Sequence, residues 1–407
     1  MTATSRVTAH NLILLGGAAL RAGRFDEAIR HYEQATLIEP NNAAAHAGLG
    51  CSYAYGGSRH QAEMPLRRAL RLDPECNSAL CGLAWLLVGE GHHSQALPIL
   101  KRYAAVAGDL FEAHFNLGIA CRRLGNASEA TAALARAAEI NPDHTVALEH
   151  LGMALKEAGH FARAASALRR AVTLLPGRAD LWCELGDCYN LLEQTALAVA
   201  AYEMAVRTDP GLARAHHGLG TARYDEGAYS AAIAAFEAAA RRAPDVIDHW
   251  CDLATAHLAA REYGLAAEVF AIAFEQQPRH HVARRGIAAA HLSLGQRDSA
   301  YQHLMAVWLN GDNDPLTGYY LGLVHFREGR LRDAVSVCRL AIEANPGLYK
   351  AVSSHESPDG TATMTRAARR VCAELGAENL KDLRVILARA AGDAQWWPAH
   401  LSAVRAS

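Results

Sequence analysis

The chain has 407 residues, with 40 Lys and Arg against 42 Asp and Glu and a formal net charge of −2 at pH 7. That balance lacks the cationic surplus expected of a protein that holds nucleic acid or an anionic membrane surface. At 51% hydrophobic and 7% aromatic residues, the chain is too apolar for disorder and too poor in aromatics for an all-β protein, so helices are expected.

From the N-terminus, Arg6 precedes an apolar run over 12–20 that Gly16 and Gly17 interrupt. The run is too short for a membrane span, and it falls in the register described next, so it reads as a packed helix rather than a signal segment. No run of 18 or more apolar residues follows, and no membrane insertion is expected. Residues 1–8 read as an N-terminal tail.

Pro40, Pro74, Pro142, Pro176, Pro210, Pro244, Pro278 and Pro346 are separated by 34 residues or a multiple of 34. Counting back from them gives ten contiguous units over 9–348, the first 9–42 and the last 315–348. A late alanine recurs from Ala28 and Ala62 through to Ala334, and a small residue follows a leucine earlier in most units, as in Leu49-Gly50 and Leu117-Gly118. Gly23, Gly57, Gly91, Gly125, Gly159, Gly227, Gly295 and Gly329 separate the two halves. This pattern predicts a pair of helices per unit. Small residues let the helices approach, a large residue such as Tyr32, Leu66, Tyr202 or Phe236 fills the gap, and the proline ends the second helix.

Trp182, Leu185, Gly186 and Tyr189, followed by Ala198, Tyr202, Ala205 and Pro210, resemble the tetratricopeptide repeat, whose pattern is W-x-x-L-G-x-x-Y, then A-x-x-x-F, then P. The resemblance extends over 9–348. It implies an all-α, right-handed superhelical solenoid of antiparallel helix pairs, stabilised by stacking of neighbours and lined on its concave side mainly by first helices. Residues 349–407 then form a C-terminal helical cap or tail. Two units depart from the pattern by ending in Gly108 and Asp312 instead of proline. Pro65 and Pro98 stand inside second helices: Pro98 is expected in the first turn behind an Ser94 N-cap, and Pro65 is expected to delay or kink its helix.

The resemblance also assigns concave positions. They include Tyr55, Cys81, Trp85, Phe115, Ile119, Arg122, Arg123, Lys156, Asp187, Asn190, Arg214, His217, Tyr224, Tyr319 and Phe326. The series runs from apolar through mixed charge to apolar, and exposed apolar groove surface marks a partner site. The Lys and Asn clamp by which chaperone-binding members of the family hold a C-terminal carboxylate is absent: Ile13 and Gly17, Ala47 and Cys51, and Cys81 and Trp85 stand at its positions. The asparagine ladder of O-linked N-acetylglucosamine transferases is also replaced, by Asn116, His150, Glu184, Gly218 and Asp252.

No chemistry is expected of the chain itself. The nine cysteines form no C-x-x-C pair and read as reduced thiols of a cytoplasmic protein. The histidine doublets put adjacent rings about 100° apart on a helix. His257, His291 and His325 recur at one unit position, on rungs roughly 8–10 Å apart, and read as edge groups rather than zinc ligands. Cys183 with His217 reads as chance proximity. No phosphate loop, nucleophile elbow or zinc-protease motif occurs, so no catalytic residue, cofactor or metal is expected.

Register fails after Leu348. Residues 353–360 read as a polar connection, followed by helices over about 365–375 and 378–391, the second with Leu380, Leu383, Ile386, Leu387 and Ala390 on one face. Trp396 and Trp397 are the candidate docking anchor. The expected function is a non-catalytic protein–protein interaction scaffold, an adaptor or assembly factor that holds a peptide or partner protein in its groove. The alternatives are the substrate-recruiting subunit of a modification or secretion complex, or a self-assembling homo-oligomeric platform.

Overall fold

A computed structural model describes residues 3–309 and 315–345, together with Ala373, Leu375, Asn379, 381–383 and 385–387. The chain divides into two units, Met1–Gly177 and Arg178–Ser407. The first contains α1 (Ala3–Arg21), α2 (Phe25–Ile38), α3 (Ala43–Tyr55), α4 (Arg59–Leu72), α5 (Asn77–Gly89), α6 (His93–Ala107), α7 (Phe111–Arg123), α8 (Ala127–Ile140), α9 (Thr145–Glu157) and α10 (Phe161–Leu174). The second contains α11 (Ala179–Leu191), α12 (Thr195–Thr208), α13 (Ala213–Asp225), α14 (Tyr229–Arg242), α15 (Ile247–Ala259), α16 (Tyr263–Gln276), α17 (His281–Ser293), α18 (Arg297–Leu309), α19 (Pro315–Arg327) and α20 (Leu331–Ala344). Among the described residues there is no strand, and no helix is long and apolar enough to cross a membrane. Helix α1 begins at Ala3, inside the stretch read as a tail.

Each odd-numbered helix packs antiparallel on the even-numbered helix that follows, and the reason is visible at the glycines. A Cβ added to Gly50 would stand 2.5 Å from Leu66 Cγ, one at Gly118 would stand 2.4 Å from Leu134 Cγ, and one at Gly220 would stand 2.6 Å from the Phe236 ring. Only a residue without a side chain lets the two backbones come this close around a large buried group. The filling residues Tyr32, Leu66, Leu134, Phe236 and Phe270 are accordingly buried.

The punctuation of the fold follows the prolines. Seven second helices stop two residues before one: Ile38 before Pro40, Leu72 before Pro74, Ile140 before Pro142, Leu174 before Pro176, Thr208 before Pro210, Arg242 before Pro244 and Gln276 before Pro278. The carbonyl left free at the turn is then taken up by the next first helix. His46 Nε2 lies 2.9 Å from Pro40 O, His216 Nε2 lies 3.0 Å from Pro210 O, and Trp250 Nε1 donates to Pro244 O at 3.0 Å. His114 Nε2 lies 2.8 Å from Gly108 O where glycine replaces the proline. His144 and His280 instead cap helices, each Nδ1 accepting from the backbone N–H three residues on. Much of the histidine content is therefore turn-closing structure.

The two irregular prolines behave differently from expectation. Helix α4 starts at Arg59, in phase with its counterparts, and continues through Pro65. Burial of Ala62, Leu66 and Ala69 on both sides of the proline holds the helix without the one hydrogen bond that Pro65 cannot donate. In α6 the N-cap is His92 rather than Ser94, so Pro98 lies beyond the first turn. Gly108 ends α6 at φ +59°. Asp312 lies outside the described residues.

First helices also touch one another: α1 with α3, α3 with α5, α5 with α7 and α7 with α9 in the first unit, and α11 with α13, α15 with α17 and α17 with α19 in the second. Second helices make no comparable contact with each other. Within each unit the first helices therefore line the inner face.

Candidate functional site

In the first unit, the inner face carries two aromatic groups. Tyr55, at the end of α3, and Trp85 of α5 remain 42% and 36% exposed. Their ring centroids are 5.2 Å apart at 56°. The Arg59 guanidinium covers the Trp85 ring at 5.4 Å. Cys81 lies half-buried one helical turn before Trp85. The second group centres on Phe115, which stacks on Phe111 at 5.3 Å and approaches His144 at 5.5 Å and His150 at 5.9 Å. Phe115 also packs against the core cluster of Cys121, Leu134 and Ala154. It is half structural, whereas Tyr55 and Trp85 are presented. Ile119 and Lys156 are half-buried, and Arg123 is exposed. Arg122 is largely buried, donating to Glu157 Oε1 at 3.1 Å with Nη2 3.3 Å from His150 Nδ1. Arg59 and Phe111 were not among the sequence candidates, because Arg59 starts a second helix and Phe111 opens α7 ahead of the concave spacing.

The inner face of the second unit begins as a bonded polar network. Tyr202 donates its hydroxyl to Asp187 Oδ1 at 2.7 Å, and Asn190 Nδ2 donates to Tyr202 Oη at 3.1 Å. Arg214 spans Asp187 at 2.6 Å and Glu184 at 2.7 Å, and His217 Nε2 lies 2.7 Å from Asp252 Oδ2. Two of the sequence candidates here do not line an open groove. Asn190 is buried beside Tyr202, and Tyr224 is buried with its ring 5.4 Å from Tyr229. Arg214 and His217 stay accessible but are committed to carboxylates.

A third candidate, Tyr319, is also buried, and Phe326 is half-buried against the same cluster. Residues of the C-terminal segment join that cluster: Leu375, Leu383, Ile386 and Leu387 are buried in it with Tyr319, Tyr320, Leu323 and Val324. Trp396 and Trp397 lie outside the described residues.

Among the described residues the titratable groups do not gather into a reactive centre. Burial pushes the thiols of Cys51, Cys183, Cys251 and Cys338 up to about 12 and helps to push that of Cys121 to about 11, far from the range in which a thiolate attacks. Cys183 is fully buried while His217 faces Asp252, so the two form no nucleophile–base pair. No disulfide joins the eight described cysteines, and no group of three or more potential ligands with metal-binding geometry occurs among the described residues. His257 Nδ1 binds Glu262 at 2.6 Å, and His291 binds Gln296, each closing its own turn.

Models of the tetratricopeptide repeat match residues 111–144, 150–213, 213–246 and 251–315, and a TPR repeat model matches 18–55. Anaphase-promoting complex subunit 3 of Schizosaccharomyces pombe is 33% identical over 104 residues, 26% of this chain and 16% of that protein. Protein O-mannosyl-transferase Tmtc2 of Drosophila melanogaster is 38% identical over 80 residues, 19% of this chain and 8% of that protein. The chain thus spans only a small part of the length of these relatives. Among solved structures, YrrB, described as a TPR protein with an unusual peptide-binding site, aligns at TM-score 0.44 and 22% identity, covering 46% of this chain and 96% of that one. PilF of Pseudomonas aeruginosa aligns at TM-score 0.43 and 17% identity, covering 52% and 96%. With helix pairs in 34-residue register and repeat models matching more than half of its length, the chain belongs to the tetratricopeptide repeat family.

Proposed function

We propose that the protein is a non-catalytic interaction scaffold, an adaptor or assembly factor, that holds a peptide or partner protein on the inner face of its first unit. The observation that carries this reading is the Tyr55–Trp85 pair: two large aromatics held against each other on neighbouring first helices, yet 42% and 36% exposed. Leaving such surface in water is unfavourable unless something covers it. Trp and Tyr are the side chains that concentrate binding energy at interfaces, because they offer large rigid area for little conformational entropy. Arg59 over the Trp85 ring adds a cation at the rim, which favours a partner with an acidic group beside its apolar anchor. The raised pKa of the buried thiols is in keeping with a non-catalytic role, and the lack of disulfides among the described cysteines fits a reducing cytoplasm.

The test is affinity capture of partners from the native cell by the full chain, compared with Tyr55→Ala/Trp85→Ala. The double variant is expected to keep its circular dichroism and melting temperature while partner retention falls about tenfold or more. Phe115 is the poorer site to change, since its truncation would also open the Cys121–Leu134 core. Retention equal to wild type would overturn the reading.

A further inference from the structure

The described residues of the C-terminal segment lie on the inner face of the second unit. Leu375, Leu383, Ile386 and Leu387 are each no more than 1% exposed. Together with Asn379 and Asp382 they fall at helical spacing on one face. Arg327 donates from Nε to Asp382 Oδ2 at 2.9 Å and from Nη2 to Asn379 Oδ1 at 2.8 Å, and Asn379 Nδ2 reaches Ser293 Oγ at 3.5 Å. Ser293 and Arg327 are the last residues of α17 and α19, 34 positions apart, so the segment reads the same rung of two successive first helices. Ala373 packs against the cluster formed by Tyr224, Leu253 and Ala256. A helix merely added to the end of the stack would meet α19 and α20. It would reach neither Ser293 nor the cluster of Tyr224 and Leu253.

We propose that Leu375, Asn379, Asp382, Leu383, Ile386 and Leu387 act as an intramolecular ligand, which occupies the inner face of the second unit and yields it to a partner's amphipathic helix carrying the same pattern of apolar side chains and a carboxylate opposite Arg327. The contacts have the character of a docked helix. Four apolar side chains enter the groove, and the polar clamp stays partly open to water, with the Arg327 and Asp382 side chains 20% and 33% exposed. An ion pair of that kind contributes little net stability and selects register and partner instead. What favours the internal helix is its tether, which makes its binding intramolecular, so a free helix must overcome an effective concentration rather than a deep contact.

The experiment uses the full chain and a fluorescein-labelled synthetic peptide of residues 371–389. Wild type is expected to bind the peptide weakly, and Leu383→Asp/Ile386→Asp, which expels the internal helix, to bind it at least about tenfold more tightly. In that released background Arg327→Asp is expected to lose the peptide and to regain binding with a peptide carrying Asp382→Arg. A milder release, Asp382→Arg in the full chain, guards against the double variant failing to fold. Far-UV circular dichroism should keep the same helical melt in each variant. Tyr55→Ala/Trp85→Ala should leave peptide binding unchanged, which separates this face from that of the first unit. Equal peptide binding by wild type and both released forms, loss of the cooperative melt on release, or indifference to the charge swap would each overturn the proposal.

Discussion

Gly218 of α13 lies so close to Tyr202 of α12 that a methyl group on it would stand 2.3 Å from the ring, and Gly186 of α11 approaches the same ring to the point where its Cβ would be 2.8 Å away. Tyr202 is thus held between two glycines from successive first helices, with its hydroxyl bonded to Asp187 and Asn190. Gly218→Ala is expected to destabilise by about 1–3 kcal/mol, because the ring has nowhere to move. Tyr202→Phe should cost about 1–2 kcal/mol by removing the buried hydroxyl that accepts from Asn190 and donates to Asp187. Urea unfolding followed by circular dichroism measures both, and a Gly218→Ala midpoint at or above wild type would contradict the packing.

The turn inside each helix pair gives an opposite prediction. Glycine occupies it at φ +72° to +89° in eight pairs, but Glu193 and Arg261 hold the same place at φ +57° and +64°. The closing bond is the same, with Glu262 N–H donating to His257 O at 2.9 Å as Arg24 N–H donates to Ala19 O. A left-handed conformation costs a residue with a side chain about 1–2 kcal/mol. Arg261→Gly is expected to stabilise by about 0.5–1 kcal/mol, the remainder being lost to the greater freedom of glycine in the unfolded chain. Gly227→Ala, at φ +78° with open space around the new Cβ, should destabilise by a similar amount through backbone strain alone. Melting temperatures that move in the same direction for the two variants would refute this account.

Those turns also show how far the sequence was readable. Helix ends were legible because proline and glycine act locally: the second helices stop two residues before Pro40, Pro142 and Pro210 as the period implies. Glu193 and Arg261 carried no such signal, since their φ is imposed by the helices on either side. The inner-face assignment did not anticipate the burial of Asn190, Tyr224 and Tyr319. Helical spacing says nothing of what else packs on Tyr224 and Tyr319: Tyr229 stands beside the one, and Leu375, Leu383, Ile386 and Leu387 share the buried cluster of the other. The apolar face of the C-terminal helix was visible at Leu383, Ile386 and Leu387. Its site of attachment was not, because a bond such as Arg327 to Asp382 spans residues that no periodicity connects.

His150 provides a prediction in pH. Burial, followed by the charges of Arg122 and Arg123, pulls its imidazole down from the ordinary value to about 4, and Arg122 Nη2 sits 3.3 Å from Nδ1, where a neutral ring can accept. In the unfolded chain the same ring takes up a proton near 6.5. Between these values the unfolded state binds more protons, so stability rises with pH. The contribution of His150 is present above 6.5 and is lost as pH falls toward 4. The urea midpoint is therefore expected to drop over that window. The drop should be shallower in His150→Gln, which keeps an acceptor for Arg122 but does not titrate. Some slope will persist in the variant, because burial also lowers His249, His303 and His325. Ring titration by NMR gives the direct measurement: a midpoint near 4 in wild type, moving up toward 6.5 in Arg122→Gln as one neighbouring positive charge is removed. A wild-type midpoint already near 6.5 would mean that the ring is neither desolvated nor held against Arg122, and the contact between α7 and α9 would have to be redrawn.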